Sequence, residues 1–390
     1  MRGHGIGGSL LSFFENYLSD RLQSVFINSS ISDFQTVNAG VPQGSVLGPF
    51  LFLLYVNDIA DTLCNVARLF ADDTSISASS TDIEEIKQTL DRDLKSLNEW
   101  SITWKVAFNP SKTEILLIGN RNESITLEFN DTLISSSSSH KHLGLTFSSN
   151  AKWSLHIDNI CKSALKEINV LRKLKFTLSR KALNKIYRTF ILPLLEYACE
   201  VWDGLSVNDE DKLEKIQLQA ARIVTGLPLF ASREALYFET GWETLKDRRN
   251  RRKLTLFHKI YHRNTPQYLH DIIQPLVRHN TYNVRNNDDF TLPNYRLQST
   301  RISFFPSTIK LWNDLEPDIR HNGNFHQFRN YLRAERDVYK IPNYFYVGDR
   351  KYNVILTRLR NMCSNLNYDL FRVNLTNTPN CYCGMSLTTY

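Results

Sequence analysis

A chain of 390 residues with 42% hydrophobic side chains can fill two or three ordinary cores and is not a disordered polymer. It has no apolar run of about 18 residues and is not expected to span a membrane. Its start, Met1-Arg2-Gly3-His4-Gly5-Ile6, lacks the apolar core of a secretion signal. Six cysteines are too sparse for a disulfide framework, which points to a reducing, intracellular setting, nucleus or cytoplasm, rather than secretion. The net charge of +7 is unevenly divided: residues 1–150 carry 10 basic and 17 acidic side chains (−7), and residues 151–390 carry +14. Such a polarity suits a polyanion held by one half while the other works on it, and it equally suits two solvated surfaces of opposite sign.

In chain order, Gly3 to Gly8 reads as a loop. Leu10, Leu11, Phe13, Phe14, Tyr17 and Leu18 then fit one face of a short helix. Gln23–Ile27 and Phe34–Val37 read as a hairpin connected through Asn28-Ser29-Ser30. Ala39 to Pro49 holds three glycines and two prolines, an irregular loop whose backbone can be approached closely. Within it Gln43, beside Gly44, offers amide donors and an acceptor suited to the polar edges of a nucleotide, although a Gly/Pro loop can also serve no ligand. The apolar run from Phe50 to Ile59 reads as a buried helix. Leu69-Phe70-Ala71-Asp72-Asp73-Thr74-Ser75-Ile76 reads as strand, tight turn, strand, with the two Asp at the turn. Adjacent carboxylates at a hairpin tip repel each other, so a divalent cation, with Mg²⁺ the natural fit to oxygen ligands, would stabilise them. The other reading is a plain Asp-Asp turn.

Gly40-Val41-Pro42-Gln43-Gly44-Ser45-Val46-Leu47-Gly48-Pro49, then Tyr55-Val56-Asn57-Asp58, then Phe70-Ala71-Asp72-Asp73 resemble, in order and spacing, the palm of reverse transcriptases of non-LTR (LINE-type, jockey-like) retrotransposons. The resemblance implies an α+β chain: a partial right-hand polymerase palm of antiparallel strands and helices over residues 1–150, and a helical thumb over 151–278. A linker at 279–300 and a C-terminal region at 301–390 would follow. It implies RNA-directed DNA polymerisation, a nucleotidyltransferase reaction, with an RNA template and a DNA primer as partners. Asp72 and Asp73 would be the catalytic, metal-binding pair of a two-Mg²⁺ site, with Gln43 and Gly44 beside nucleotide and template. Thr81 to Glu84 reads as a capping box opening a helix with Ile83, Ile86, Leu90, Leu94 and Leu97 on one face. Phe108-Asn109-Pro110-Ser111-Lys112 resembles the family segment that follows the palm hairpin. Lys112 would neutralise phosphate there, or else be a solvated turn lysine. Ile115–Ile118 reads as a buried strand. His140-Lys141-His142-Leu143-Gly144-Leu145 resembles the primer grip, with His142, Leu143 and Gly144 placing the primer end.

Beyond residue 151 the periodicity turns helical. Ile157, Ile160, Ala164, Ile168, Leu171 and Leu174 line one face, and Lys162, Lys166, Arg172, Lys173 and Lys175 supply charge. A second helix runs from Arg180 towards Pro193. A third, through Leu213, Ile216, Ala220, Ile223 and Val224, stops at Gly226 and Pro228. Lys246 to Lys253 is the densest basic run, and it offers cations to phosphate, a solvated helix face or a localisation signal. Arg301–Phe305, Leu311-Trp312-Asn313, Arg358-Leu359-Arg360 and Cys381-Tyr382-Cys383-Gly384 resemble regions downstream of the polymerase in many such elements. In relatives the Cys pair opens a zinc-binding arrangement. Only two of the roughly four ligands such a site needs stand here, so no complete zinc site is expected.

The sequence departs from the family at its start, where the fingers and the first catalytic strand are expected to be missing. The palm uses a third carboxylate on a strand before the region here written Gly5-Ile6-Gly7. Asp20, Asp33 and Asp58 sit in the wrong contexts to replace it. The expectation is an N-terminally truncated reverse transcriptase, inactive by itself. The alternative is a non-catalytic, basic nucleic-acid-binding remnant.

Overall fold

In the computed structural model, the described residues are 3, 5–119, 123–273, 276, 289–292, 294–334, 348–364 and 366–379. They form two compact units, Met1–His140 and Lys141–Tyr390.

The first unit is α+β. Helix α1 (Gly8–Leu18) leads into strands β1 (Arg21–Gln23), β2 (Phe26–Ile27), β3 (Ser30–Ile31) and β4 (Gln35–Val37). The expected hairpin forms, and its tip is Asn28-Ser29, both at positive φ, the geometry that matches strand twist in a two-residue loop. Pairing is interrupted: β2 pairs β3 and β1 pairs β4, with Ser32 Oγ accepting the Val25 N–H between them at 2.9 Å. Helix α2 (Leu47–Val56) follows, then the hairpin of β5 (Val66–Phe70) and β6 (Asp73–Ser77), then the long helix α3 (Ile83–Trp104). Helix α3 is capped by Asp82, whose carboxylate accepts the Glu84 N–H at 3.0 Å, one residue beyond the Thr81 that the sequence pattern suggested. Strands β7 (Ile115–Leu116), β8 (Thr126–Phe129) and β9 (Thr132–Ser137) make a sheet of order β7-β9-β8, in which β7 runs parallel to β9.

One core joins α2, the β5–β6 hairpin, α3 and the β7-β9-β8 sheet: Val56, Ile59, Leu97, Trp100, Phe129 and Ile134, with Phe52, Leu69, Ile76, Phe108 and Ile115 packed around them. Helix α2 is less buried than its all-apolar sequence suggested. Gly48, Leu51 and Val56 turn inward while Phe50 and Leu53 are exposed.

Strands β10 (Ser139–His142) and β11 (Leu145–Ser148) precede the helices of the second unit. These begin with α4 (Ser154–Leu174), α5 (Arg180–Ile186), α6 (Leu192–Glu196), α7 (Cys199–Trp202) and α8 (Val207–Thr225). A π-helical turn, Tyr187–Ile191, joins α5 to α6. It falls just before Pro193, whose missing N–H and bulky ring disturb the helical ladder. Helix α8 ends where expected, at Gly226 in the left-handed conformation (φ 78°), whose N–H bonds the Arg222 carbonyl. Next come α9 (Arg233–Thr240), α10 (Leu245–Tyr261), α11 (Gln267–Ile273), α12 (Gln298–Arg301), α13 (Phe304–Asn313), α14 (Pro317–Arg320), α15 (Phe325–Ala334), α16 (Arg350–Arg360) and α17 (Asn367–Arg372). Ile157, Ile168, Leu171, Leu183, Leu213 and Val224 lie in one core. Phe257, Ile260, Ile309, Trp312 and Phe328 lie in another.

Most of the densest basic run is paired inside its own unit. Helix α10 turns it onto acidic side chains of the same unit. Arg248 forks onto Glu196, Arg249 bonds Asp203 and Glu210, Arg251 bonds Glu243, and Arg252 bonds Glu200 at 2.9 Å. Lys253 bonds Asp203, and Lys246 reaches Glu210 at 3.2 Å. Glu196 ends α6, Glu200 lies in α7 and Asp203 follows it, so the acidic partners come from two short helices and their junction. Most of the run is therefore engaged in ion pairs within the unit, while Lys246 and Arg252 remain partly open to solvent.

Arg249 is 1% exposed. Arg249→Ala leaves Asp203 and Glu210 short of a partner in a poorly solvated site and is expected to cost about 3–5 kcal/mol, read by urea unfolding of the second unit. Two buried histidines add a pH dependence. His156 Nδ1 accepts the Thr146 N–H at 3.2 Å, and His258 stacks on Phe328 at 4.2 Å. Burial lowers both pKa values from the ordinary 6.5. The folded state disfavours their protonation, so stability is full above 6.5 and falls as pH drops below it. Melting at about pH 7.5 and pH 5.5 will show a lower Tm at the acid value, and His156→Gln will narrow that gap.

Candidate active site

Strands β5 and β6 pair antiparallel from Val66↔Ser77 to Phe70↔Asp73, closed by Ala71-Asp72. Side chains of paired residues share a face and alternate along each strand. Leu69 and Ile76 belong to the face packed on the core. Asp73 therefore falls on the opposite face with Phe70, Arg68 and Val66, all exposed. Asp72 is exposed in the turn itself. Ala71 has φ 52°, a value a glycine would take at little cost, so the turn holds strain beside the carboxylates. Neither Asp72 nor Asp73 uses its carboxylate in a hydrogen bond or ion pair among the described residues. Both are free to take a hard cation.

The frame under the hairpin comes from α3. Asp93 is fully buried there. Its carboxylate accepts the N–H of Cys64 at 2.7 Å, the N–H of Asn65 at 3.1 Å and the Asn65 side-chain amide at 2.8 Å, which fixes the entry to β5. The sequence reading missed Asp93, although its signal is visible: a charge at a position where the apolar face of α3 runs through Leu90, Leu94 and Leu97. Trp100 donates its indole N–H to Asp58 at 3.0 Å, so Asp58 is committed away from Asp72. Asp20 precedes β1 and Asp33 lies between β3 and β4. Among the described residues no three His, Cys, Asp or Glu side chains gather as a metal-binding group.

Gln43 and Gly44 form an exposed turn before α2. Gly44 has φ 79° and open space where a Cβ would stand. Ser45 ties the turn to the helix: its hydroxyl bonds the Pro42 carbonyl at 2.8 Å and accepts the Gly48 N–H at 2.9 Å. A Cβ on Gly48 would lie 2.9 Å from that hydroxyl, which explains a glycine inside the first turn. Arg21 anchors the loop start by donating to the Gly40 carbonyl at 2.6 Å. Lys112 ends a short 3-10 turn, Pro110–Lys112, capped by Asn109. It is exposed and unpaired among the described residues. The turn it ends lies between Phe108 and Ile115, and α2 and the Asp hairpin share their core. That core thus supports the elements carrying Gln43, Asp72, Asp73 and Lys112.

His142, Leu143 and Gly144 belong to the second unit. Leu143 (φ 46°) and Gly144 (φ 82°) form the left-handed turn pair that a tight hairpin favours. Tyr197 braces it: its hydroxyl donates to the Leu143 carbonyl at 3.0 Å, and a Cβ on Gly144 would stand 3.0 Å from its ring. Nothing in the local sequence of the turn points to Tyr197. His140 pairs with Glu114 at 2.7 Å. Desolvation pushes the half-buried Cys161 thiol up to about 11 and the buried Cys199 thiol up to about 12, away from the thiolate a nucleophile needs. Cys381 and Cys383 lie outside the described residues.

Residues 9–147, the Asp-Asp hairpin among them, match the family described as reverse transcriptase (RNA-dependent DNA polymerase). This stretch matches as a reverse transcriptase domain, and the relatives that share it are polymerases of transposons and mobile elements. The chain is 25% identical over 251 residues to a probable RNA-directed DNA polymerase from transposon BS of Drosophila melanogaster, covering 61% of this chain and 28% of that protein. The polymerase of the mobile element jockey, from the same fly, is 27% identical over 230 residues, 55% of this chain and 25% of its own. That of the transposon X-element is 28% identical over 249 residues, 61% of this chain and 27% of its own. The chain thus spans little more than a quarter of these relatives. Small, mostly antiparallel sheets with helices, and a helical region after them, are consistent with the palm-and-helix arrangement the resemblance implied. No helix among the described residues is long and apolar enough to cross a membrane.

The strain at Ala71 can be measured. Ala71→Gly removes the left-handed penalty on a Cβ while loosening the unfolded chain, for an expected net gain of about 0.5–1 kcal/mol in the first unit. Thermal or urea unfolding of the reverse transcriptase domain checks it.

Proposed function

We propose that the Asp72–Asp73 hairpin is the catalytic, metal-binding element of an RNA-directed DNA polymerase that extends a DNA primer on an RNA template. One observation carries the reading: two adjacent, exposed and uncommitted carboxylates at a hairpin tip, inside the stretch that matches reverse transcriptases. Their oxygens are the donor type that Mg²⁺ takes. Held there, such ions would supply charge stabilisation to the attacking and leaving oxygens of phosphoryl transfer.

The remaining assignments concern binding. Gln43 presents its amide to the nucleotide or template, and Gly44 lets backbone approach without a side chain in the way. Lys112 sets a cation for phosphate. The turn of His142, Leu143 and Gly144, stiffened by Tyr197, positions the primer end. Lys162, Lys166, Lys173, Lys181 and Lys185 are exposed and make no ion pair among the described residues. They suit the phosphates of a template–primer duplex better than the run on α10, most of which is committed to ion pairs. In this reading residues 1–150 serve as palm, 151–278 as thumb, 279–300 as linker and 301–390 as an accessory region, in an intracellular polymerase.

A two-cation site requires more than two carboxylates on one turn. Among the described residues no third carboxylate joins the pair, and in this reading the isolated chain binds primer–template without extending it. The second reading, binding alone without a metal, is favoured by the free lysines of the second unit.

Mn²⁺ titration by electron paramagnetic resonance and primer–template binding by fluorescence anisotropy separate the two readings. Asp72→Ala is expected to abolish metal binding at the hairpin while changing primer–template affinity by no more than about twofold, since affinity rests on phosphate contacts. The isolated chain with Mg²⁺ is expected to add no nucleotide. Nucleotide addition refutes the inactivity, and metal binding unchanged by the substitution leaves only the binding role.

A further inference from the structure

Strands β5 and β6 carry a single cation, Arg68. Arg68 pairs across to Ser75 and Phe70 to Asp73, so Arg68 and Asp73 are diagonal neighbours on the same exposed face. Diagonal positions in a sheet lie about 7–8 Å apart, within reach of an arginine, and an ion pair between them would be favourable. That pair is not made. Ser77 takes the guanidinium instead: Arg68 Nη1 donates to its hydroxyl at 2.9 Å, and the hydroxyl donates to the Val66 carbonyl at 3.4 Å. The tether draws the guanidinium along the strand, away from the carboxylates. Its partner is neutral, most of its N–H donors stay open, and it makes no ion pair among the described residues.

Two charges that could have neutralised each other are thus kept apart. Asp73 stays open to a cation and Arg68 to an anion. The Arg68–Ser75 pair lies two residues along β5 from Phe70–Asp73, which is about 7 Å of strand. Successive nucleotides of one strand rise by about 3.4 Å, so the interval corresponds to roughly two nucleotides. A ligand that presents an anion at that interval from a metal-held oxygen is a nucleic-acid strand. The guanidinium fork matches a phosphate in geometry as well as in charge. Metal ions at the tip would neutralise a nucleotide's own triphosphate, whereas the backbone phosphates of the primer would gain little from them. We propose that Arg68 binds a phosphate of the primer strand within about two nucleotides of its 3′ end. This role rests on the reading of Asp72 and Asp73 as the metal-binding pair.

The test couples one side chain to one phosphate. Primer–templates carry a single neutral methylphosphonate in the primer, either at the second linkage from the 3′ end or a full helical turn back. Binding to the full chain with Mg²⁺ is read by fluorescence anisotropy. The near linkage is expected to weaken wild-type binding by about threefold or more, and Arg68→Gln binding by less than about twofold. The distal linkage weakens both alike. Arg68→Gln also lowers the slope of log affinity against log salt by about one, and Arg68→Lys, which keeps the charge, restores it. Circular dichroism and retained Mn²⁺ binding report that the variants are folded, and the wild-type comparison of near and distal linkages needs no variant. Equal weakening by the two linkages, or a near-end effect that Arg68→Gln leaves intact, overturns the proposal, while Mn²⁺ binding lost in Asp72→Ala keeps the metal reading. A deoxynucleotide triphosphate affinity that falls in Arg68→Gln while primer–template affinity holds also overturns it, because the guanidinium would then serve the nucleotide. Mn²⁺ binding that ignores Asp72→Ala removes the metal reading, and this role with it.

Discussion

Side chains of a strand alternate faces with a period of two, and the candidate site hangs on that alternation. Leu69 and Ile76 are claimed by the core, so Asp73, three residues before Ile76, must look the other way. A slip of one residue would bury Asp73 and expose Ile76, losing apolar burial and stranding a charge in one step. The register is held from both ends: Asp93 grips the backbone at Cys64 and Asn65, and Ala71 accepts an unfavourable φ to close the turn. The exposure of the carboxylate pair is thus a by-product of how firmly its neighbours are buried.

In the second unit, formal charge and available charge come apart. Residues 151–390 carry +14, yet the densest cluster of that charge is spent on Glu196, Glu200, Asp203, Glu210 and Glu243. An ion pair this sheltered tends to stabilise little over an apolar substitute, but losing one partner costs heavily. Such a network fixes how α10 sits against α6, α7 and α8. Scattered lysines of α4 and α5 are exposed and make no ion pair among the described residues, and no dense run advertises them.

The sequence made the first unit legible where local chemistry decides the outcome. The Asn28-Ser29 tip, the Asp hairpin, the glycine loop and the apolar face of α3 all announce themselves through turn residues and periodicity. The same is true of α8, whose end at Gly226 needs only a glycine in a left-handed position. What stayed hidden depends on partners far along the chain. Asp93 reads as one more helix charge until Cys64 and Asn65 are known to lie against it. The basic run on α10 reads as a phosphate face until the acidic side chains some fifty residues earlier are folded against it. Helix α16 carries its amphipathic signal openly, but nothing local says that Asn353 and Thr357 are the residues turned in.

Tyr197 gives the turn at Leu143 and Gly144 an unusual dependency. Its hydroxyl and ring reach back across 54 residues to hold two left-handed positions in place. A contact of that span is closed late, after the intervening helices have shortened the distance in space. The turn can therefore sample its shape early in folding but acquires rigidity only once the helical layer behind it has assembled. A fragment ending shortly after the hairpin would keep every residue of the turn and lose the ring that stiffens it.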